Sequence, residues 1–478
     1  MNSNNQREGH ITLFAASLPI ACLILLLALN VFVFGDEAIS GSNQFVLLIG
    51  GAIASTVGMF YKIPFKFMIN QVGENLKSVT GAILILLLVG SLSASWLISG
   101  IVPAMIYYGI QLINPTFFLP SAVILSAIIS IATGSSWTTS ATIGVALIAI
   151  GKALGIPAGI VAGAVISGAY FGDKLSPLSD TTNLAAAMAG SSLFTHIRYM
   201  LYTTIPSISI TLIVFILISF NIDSGEISSS QNLLLSIQES FYISPWLFVV
   251  PLVVIVLIIK KVSPIISLFV GTILGLVLAY YFQTIIFSGS FFENYRYYLN
   301  AISSGVSVQT SNQALNELFI AGGMEGMLGT IWLIICAMVF GGIMESIGAL
   351  SRISKALLAL GDSIFSLFAS TLASCLAINL TASDQYLSIV VPGKMFSKAF
   401  EEKNLAPENL SRTLEDSGTV TSVLIPWNTC GAYQSGVLGV GVGEYFMYAV
   451  FNYVSPLMTL IFAAFKIKIK ERLNSIAT

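Results

Sequence analysis

The stretch Gly168-Ala-Tyr-Phe-Gly-Asp-Lys-Leu-Ser-Pro-Leu-Ser-Asp-Thr-Thr-Asn-Leu184 places charged and hydroxyl side chains inside apolar sequence. Charged groups at membrane depth are costly, so they face a polar cavity or lie at the membrane surface. Pro177 removes a backbone N–H donor, and the neighbouring Ser and Asp residues favour turns over helix interiors. The stretch therefore predicts a broken helix, whose free carbonyls and helix N-terminus can meet a bound ion.

The composition of the whole chain defines the surroundings of this stretch. Of the 478 residues, 56% are hydrophobic and only 9% are charged, and the mean hydropathy is +0.90. Soluble domains average about 25% charged residues, so this composition cannot cover a water-exposed surface. Many apolar runs approach the ~20 residues that a membrane-spanning helix needs. The runs are continuous, whereas the strands of an outer-membrane barrel alternate. We predict an all-α polytopic membrane protein.

Few residues suited to metal or nucleotide sites occur in the chain. The four cysteines lie far apart without metal-type spacing, and there are only two histidines. No Gly-x4-Gly-Lys-Ser/Thr motif is present, so ATP is not the energy source on this chain. The net charge of −2 gives no reason to bind nucleic acid. We expect no enzyme activity, no cofactor and no nucleic-acid partner, with the lipid bilayer as the surrounding medium.

Basic residues set the expected orientation. The lysines of the connection 62–78 and the pair Lys260–Lys261 mark cytoplasmic ends of spans, because cytoplasmic loops carry an excess of Lys and Arg. The connection 221–242 has acidic but no basic residues and is expected outside. The last predicted span, 445–465, runs into four basic residues. We predict a multi-pass protein with both termini in the cytoplasm.

The chain also repeats itself. A shift of 248 residues superimposes the following pairs: Thr133 and Thr381, Ser135 and Ser383, Asp180 and Asn428. The first unit begins after a cytoplasmic loop and ends outside, and the second does the reverse, which is the inverted topology of many secondary transporters. The predicted parts are a first scaffold helix pair (11–61), repeat 1 with a hairpin and the ion-binding motif (79–220), a second scaffold pair (244–282) and the inverted repeat 2 (327–468). The scaffold pairs are expected to form a scaffold or the contact of a homodimer.

Two polar segments, Thr133–Ser140 and Thr381–Tyr386, occupy equivalent positions in the two units. Each follows an apolar run and precedes a short return, which suits re-entrant hairpins whose tips meet at mid-membrane. The alternative is a pair of ordinary polar loops at the surface. With hairpins and broken helices included, we expect about 10–13 membrane segments.

A small cation such as Na⁺ prefers carboxylate, hydroxyl, amide and carbonyl oxygens. Asp180 has Asn428 as its counterpart in the other half, and Asp384 has Ser136, so each pair combines a carboxylate with a neutral donor. The predicted Na⁺ ligands are the charged Asp180 and Asp384 with the neutral donors Ser135, Ser136, Thr181, Asn183, Asn428 and Thr429.

Burial disfavours the ionised form of a carboxylate unless a cation balances it. One carboxylate can therefore hold either Na⁺ or H⁺, and competition for it couples opposing fluxes. The candidates for proton coupling are Asp180, Asp173 and Asp384. Asp173 has a second interpretation, an internal ion pair with Lys174 that holds the broken helix. Glu415–Asp416 is interpreted as a helix-start cap at the cytoplasmic face, because acids favour helix N-termini.

The chain resembles the NhaC family of sodium/proton antiporters over essentially its whole length. The most specific segment is Gly172-Asp-Lys-Leu-Ser-Pro-Leu-Ser-Asp-Thr-Thr-Asn-Leu184, and three shorter segments add to it: Thr133-Gly-Ser-Ser-Trp137, Gly341-Gly-Ile-Met-Glu345 and Pro426-Trp-Asn-Thr429. The resemblance implies the ion-transporter fold with inverted repeats and hairpins, some of whose members move the substrate domain like an elevator. It also implies exchange of Na⁺ for H⁺ in a bacterial inner membrane. Some relatives instead exchange malate and protons against lactate and sodium.

Three alternatives stay open from the sequence. An organic-anion antiporter would need cationic or N–H-rich anchoring, and Lys174 is the basic residue near the polar segments. A membrane-embedded aspartyl protease would need a Gly-x-Gly-Asp element, but Tyr170 stands where its first glycine belongs. An ion channel is the third. Vesicle measurements with sodium alone, and with the organic acids added, separate the first alternative from cation exchange.

Overall fold

The computed structural model describes residues 11–34, 41–112, 117–221, 227–260, 262–283, 290–359 and 363–472. The polar N-terminus 1–10 and the last residues 473–478 lie outside these ranges. The described chain is almost entirely helical, which confirms the all-α class.

The first half of the chain contains eleven α-helices in the described ranges. They are α1 Leu13–Phe34, α2 Ser42–Phe60, α3 Phe65–Ser78, α4 Thr80–Ile98, α5 Ile101–Leu112, α6 Phe118–Thr133, α7 Ser136–Thr139, α8 Val145–Ala153, α9 Ala158–Leu175, α10 Asp180–Ala189 and α11 Leu193–Asn221. A π-helical turn, Ser140–Gly144, joins α7 to α8.

The second half continues with α12 Ile227–Ser240, α13 Val249–Ile259, α14 Pro264–Phe282, α15 Phe291–Ser304, α16 Gln313–Leu318, α17 Leu328–Ser346, α18 Ala349–Leu358, α19 Ile364–Thr381, α20 Gln385–Glu402, α21 Pro407–Leu414, α22 Thr429–Leu438, α23 Val442–Tyr445 and α24 Val450–Ala464. A π-helical turn, Glu415–Thr419, follows α21, and 3-10 turns lie at Pro245–Phe248, Glu325–Met327, Ser422–Leu424 and Phe446–Tyr448. Two short strands, β1 Val306–Ser307 and β2 Ile320–Ala321, pair antiparallel with Val306 opposite Ala321.

Seven helices of the described ranges are long and apolar enough to cross a membrane, and the number rises to nine if two bent pairs each count as one span. Together with the sequence composition, this identifies a multi-pass membrane protein. The predicted 10–13 segments are reached only if shorter helices, such as α6 and α9, count as membrane segments. The number of segments inside the bilayer stays a prediction.

The helix bounds recur along the chain. α4 and α17 both have 19 residues and begin 248 residues apart, and α10 and α22 both have 10 residues and begin 249 apart. The recurrence also includes α2 with α14, of 19 residues each, and α3 with α15, of 14 residues each. The shift of 248 does not extend to these earlier pairs, because the segment with β1, α16 and β2 lies between α15 and α17, whereas α3 leads directly into α4.

The two halves exchange packing partners. α2 and α3 pack against α17 of the second half, while α14 and α15 pack against α4 of the first half. This reciprocal arrangement is what a pseudo-two-fold relation between halves produces. The division of the chain into scaffold pairs and inverted repeats remains our proposal, because orientation in a bilayer depends on the positions of the basic residues.

Close helix packing supports the broken stretch of the first half. α9 lies along α6, and a Cβ on Gly168 would stand 2.2 Å from the carbonyl oxygen of Val123. One turn on, a Cβ on Gly172 would stand 2.4 Å from the carbonyl oxygen of Ala127. Small residues four apart allow such close approach of membrane helices.

Replacing Gly168 with Ala should therefore push α9 away from α6 and lower thermal stability in detergent, because overpacking costs about 1–3 kcal/mol. The matched control is Gly73→Ala on α3, where the added Cβ meets nothing within 4 Å. The control should unfold at the wild-type temperature or slightly above it. Equal melting of the Gly168 variant and wild type would contradict the packing argument.

Candidate functional site

The first hairpin tip lies between α6 and α7. α6 ends at Gly134, which has a left-handed backbone with φ of 70°. Ser135 then caps α7, its Oγ accepting a hydrogen bond from Thr138 N at 3.1 Å. The polar segment thus breaks the helix for local reasons, a left-handed glycine followed by a serine cap.

Asp173, at the end of α9, completes this tip. Its Oδ2 accepts hydrogen bonds from the backbone N of Ser136 at 3.0 Å and from Ser136 Oγ at 2.7 Å. The other oxygen, Oδ1, is buried and has no hydrogen-bond partner among the described residues. The carboxylate therefore holds the start of α7 with one oxygen and leaves the second available.

The second tip, between α19 and α20, is built in a similar way. Ser383 has a left-handed φ of 59°, and Asp384 caps α20 by accepting a hydrogen bond from Leu387 N at 2.9 Å. Ser383 O in turn accepts a hydrogen bond from Thr429 N at 2.9 Å, which ties this tip to the start of α22. Asp384 is almost fully buried.

Both tips face one cavity of about 510 Å³. Three carboxylates line it, Asp173, Asp180 and Asp384, along with polar residues of both tips: Thr133, Ser135, Thr138, Gln385, Tyr386 and Thr429. One wall comes from the end of α3 and the start of α4 (78–85), and another from Ile258 and residues 262–264, where α13 ends and α14 begins. Among the described residues, no Lys or Arg lines this cavity.

Tyr386 connects Asp180 to the second hairpin tip, which holds Asp384. The Tyr386 hydroxyl donates a hydrogen bond to Asp180 Oδ2 at 2.6 Å, and Tyr386 follows Asp384 by two positions. Asp180 is the first residue of α10 and is exposed to the cavity, whereas Asp384 is buried. The two predicted charged ligands therefore line the same space from different halves of the chain.

The remaining predicted ligands divide into two groups. Ser135 and Thr429 line the cavity, and Asn428 lies beside Thr429, where its Oδ1 caps α22 and its amide donates to Asn379. Ser136 lies behind Asp173. The other two predicted ligands, Thr181 and Asn183, do not line the cavity. The Thr181 hydroxyl donates to Glu415 Oε1 at 3.2 Å, and the exposed Asn183 donates to Ser179 O at 2.6 Å.

A fully buried ion pair lies beneath the site. Lys174 does not pair with Asp173, so the internal-pair interpretation is wrong. Its ammonium instead forms an ion pair with Asp416, both side chains being 0% exposed. Asp416 also accepts hydrogen bonds from three hydroxyls, those of Thr203, Ser455 and Thr459. The pair connects α9 of the first half with the π-helical turn of the second.

The sequence interpretation of Glu415–Asp416 as an interfacial cap is also wrong. Both residues lie in the interior of the continuous α21 and π-helical segment and are 0% exposed. Arg412, one turn earlier, is buried as well. The available signal was spacing, because Arg412, Glu415 and Asp416 lie three and four residues apart and so share one helix face.

Known proteins match this chain over most of its length. A model of the Na⁺/H⁺ antiporter family matches residues 168–467 and so begins at the first residue of the broken stretch. The Na⁺/H⁺ antiporter NhaC of Alkalihalophilus pseudofirmus is 38% identical over 410 residues, which cover 86% of this chain and 87% of that protein. NhaC of Bacillus subtilis is 35% identical over 417 residues, covering 87% of this chain and 90% of that protein.

A third relative is named for a different activity. The malate-2H⁺/Na⁺-lactate antiporter of Bacillus subtilis is 35% identical over 460 residues, covering 94% of each chain. The match to the family model and the identity to the two NhaC proteins confirm the resemblance inferred from the sequence motifs. The chain belongs to the Na⁺/H⁺ antiporter family.

Proposed function

We propose that this protein exchanges Na⁺ for H⁺ across the cytoplasmic membrane by alternating access. The observation that carries the proposal is the convergence of Asp173, Asp180 and Asp384 on one cavity between the two hairpin tips. The names of the NhaC relatives support the same exchange. Na⁺ and H⁺ are its substrates in this proposal, and no resident cofactor takes part.

The coupling follows from the charges of the cavity. With no basic residue among its described lining, three carboxylates in so small a space repel one another and need cations. Either a Na⁺ ion held by oxygen ligands or a proton bound to a carboxylate oxygen supplies this positive charge. The free Oδ1 of Asp173 is one such oxygen. Because each cation displaces the other, transport of Na⁺ in one direction returns H⁺ in the opposite direction.

The cavity also supports an orientation. The two walls of the cavity lie close in sequence to Lys77 and Lys260, since Ser78 follows Lys77 and Ile258 and Val262 stand two residues from Lys260. These lysines mark the cytoplasmic side, because cytoplasmic loops carry an excess of positive charge. In our proposal the structure therefore represents the state open to the cytoplasm. Movement of the two tips between the scaffold helices would present the same carboxylates to the outside, as alternating access requires.

The organic-anion alternative is less well supported by the site. A substrate carboxylate needs cations or free N–H donors, and Lys174 is occupied by Asp416. Backbone N–H groups at the tips already donate hydrogen bonds to the chain's own carboxylates, Ser136 N to Asp173 and Leu387 N to Asp384. Because one relative is named for malate and lactate, the experiment below also tests this alternative.

Everted membrane vesicles that contain the protein test the proposal. We expect NaCl alone to collapse a preformed pH gradient, since Na⁺ entering the site releases H⁺ in exchange. KCl at the same concentration controls for ionic strength, and vesicles without the protein control for background exchange. A response that requires malate or lactate would favour the organic-anion antiporter. If no Na⁺ concentration moves protons between pH 7 and 9, the proposal is wrong.

A further inference from the structure

A second cavity, of about 390 Å³, lies apart from the carboxylate cavity. It is formed by the first turns of α11 and the segment that follows α24, and it is lined by Thr195, Arg198, Tyr199, Tyr202, Lys468, Ile469 and Lys470. Three of these seven residues are basic and none is acidic.

The positive charge of this cavity is only partly balanced. Lys470 forms an ion pair with Glu408, with 2.6 Å between Nζ and Oε1. Arg198 and Lys468 are exposed, and neither forms an ion pair with the described residues. The Lys468 ammonium lies over the Tyr202 ring, 5.1 Å from its centre. Two cations therefore remain available to an anion.

A third cation lies directly behind the cavity wall. The Arg412 guanidinium stacks on the Tyr199 ring at 4.6 Å and is fully buried. None of its three nitrogens has a hydrogen-bond partner among the described residues. Its charge adds to the potential of the cavity, because the Tyr199 ring on which it stacks lines the cavity.

The surroundings of the cavity are those of a membrane interface. Phe194 and Phe465, which are 68% and 74% exposed, lie four and three residues before Arg198 and Lys468 in the sequence, and Tyr202 is 44% exposed. α11 continues from this end as a candidate span with large apolar side chains exposed along it, including Ile205, Ile213 and Leu217. Basic and aromatic residues at the end of a lipid-facing helix are typical of the headgroup level.

We propose that this cavity binds the headgroup phosphate of an anionic phospholipid. A phosphate accepts from Arg198 and Lys468, which have no other anion, and the acyl chains can lie on the exposed Phe194 and Phe465. Free inorganic phosphate shares the first contact but not the second, so the apolar flank favours the lipid. Basic pockets between membrane helices bind anionic headgroups by this combination.

Lipid binding would also fix the C-terminal segment. This segment pairs with the connection between α20 and α21, where Ala406 N donates to Lys470 O and Arg472 N donates to Asn404 O, both at 2.9 Å. The Tyr199 hydroxyl, which also lines the cavity, donates to Asn409 on α21 at 2.6 Å. A headgroup in the cavity would therefore hold α11, α21 and the C-terminal segment together.

The test is native mass spectrometry of the delipidated full-length protein titrated with phosphatidylglycerol. We expect one tightly bound lipid per chain, and about 30-fold weaker binding of that lipid after Arg198→Gln with Lys468→Gln, because each basic residue near an anionic headgroup contributes about fivefold. Lys468→Arg should retain binding. The control Lys66→Gln with Lys355→Gln removes two exposed lysines, on α3 and α18, that do not line the cavity, and it should bind like wild type.

The comparison ligands decide the source of the phosphate. Phosphatidylcholine should not compete at equal concentration, and inorganic phosphate should displace phosphatidylglycerol only at far higher concentration. Equal affinity of the cavity variant and the control variant would overturn the proposal. Displacement by inorganic phosphate at the lipid's own concentration would overturn the assignment to a lipid. Neither result bears on Na⁺ exchange, which uses the other cavity.

Discussion

Asp384→Asn is expected to abolish Na⁺-driven proton movement while leaving the protein folded. Asp384 caps α20 through Leu387 N, and Asn is an equally good N-cap, so the second tip should keep its shape. The substitution removes the buried charge that the cation needs. Loss of one partner of a buried charge pair costs about 3–5 kcal/mol, so exchange should fall by about 100-fold or more. The measurement is the initial rate of pH-gradient collapse in vesicles at several Na⁺ concentrations.

Asp180→Asn provides the informative comparison. Asp180 is exposed to the cavity and already accepts a hydrogen bond from Tyr386, which an Asn oxygen can still accept. We expect this variant to need more Na⁺ for half-maximal rate and to retain part of its exchange. Glu74→Gln, which removes an exposed carboxylate on α3, should behave like wild type. Exchange by Asp384→Asn at the wild-type rate and Na⁺ requirement would remove Asp384 from the site.

The sequence predicted the parts of this fold that local chemistry determines. Gly134 with Ser135, and Ser383 with Asp384, break their helices through left-handed backbone and N-caps. Gly134 and the two caps, Ser135 and Asp384, are residue types that favour these positions, whereas the left-handed backbone of Ser383 is not visible in its residue type. Long apolar runs likewise predicted the spanning helices, because hydrophobicity is a property of the local sequence. The constant shift between the halves further predicted that the two tips belong together, and both line one cavity.

The same reasoning failed where tertiary packing decides burial. Arg, Glu and Asp side chains mostly lie at the protein surface, so a charged run such as Arg412, Glu415 and Asp416 favours a surface position. Their burial depends on α11, α19, α20 and α24 packing around them, which no local pattern records. Thr181 and Asn183 were predicted as neutral oxygen donors beside Asp180, but on a helix neighbouring residues point in different directions. Their contacts with Glu415 and Ser179 follow from that geometry.

Breaking the buried ion pair is expected to destabilise the protein, and by different amounts from its two ends. Asp416→Leu leaves the Lys174 ammonium buried with only the Ser455 hydroxyl, at 3.0 Å, among its described polar contacts. Lys174→Met leaves a carboxylate that still accepts from the hydroxyls of Thr203, Ser455 and Thr459. Since removing one partner of a buried pair costs about 3–5 kcal/mol, both variants should melt earlier in detergent, and Asp416→Leu should melt first.

The double variant Lys174→Met with Asp416→Leu separates a structural role from a transport role. Neither unpaired charge remains, so its thermal stability should recover much of the loss, as buried pairs replaced by apolar residues often do. If the pair only connects α9 to the π-helical turn, exchange should recover together with stability. A stable double variant without Na⁺/H⁺ exchange would show instead that the pair takes part in transport. A double variant as unstable as the sum of the single variants would contradict the ion pair itself, because two interacting partners do not contribute additively.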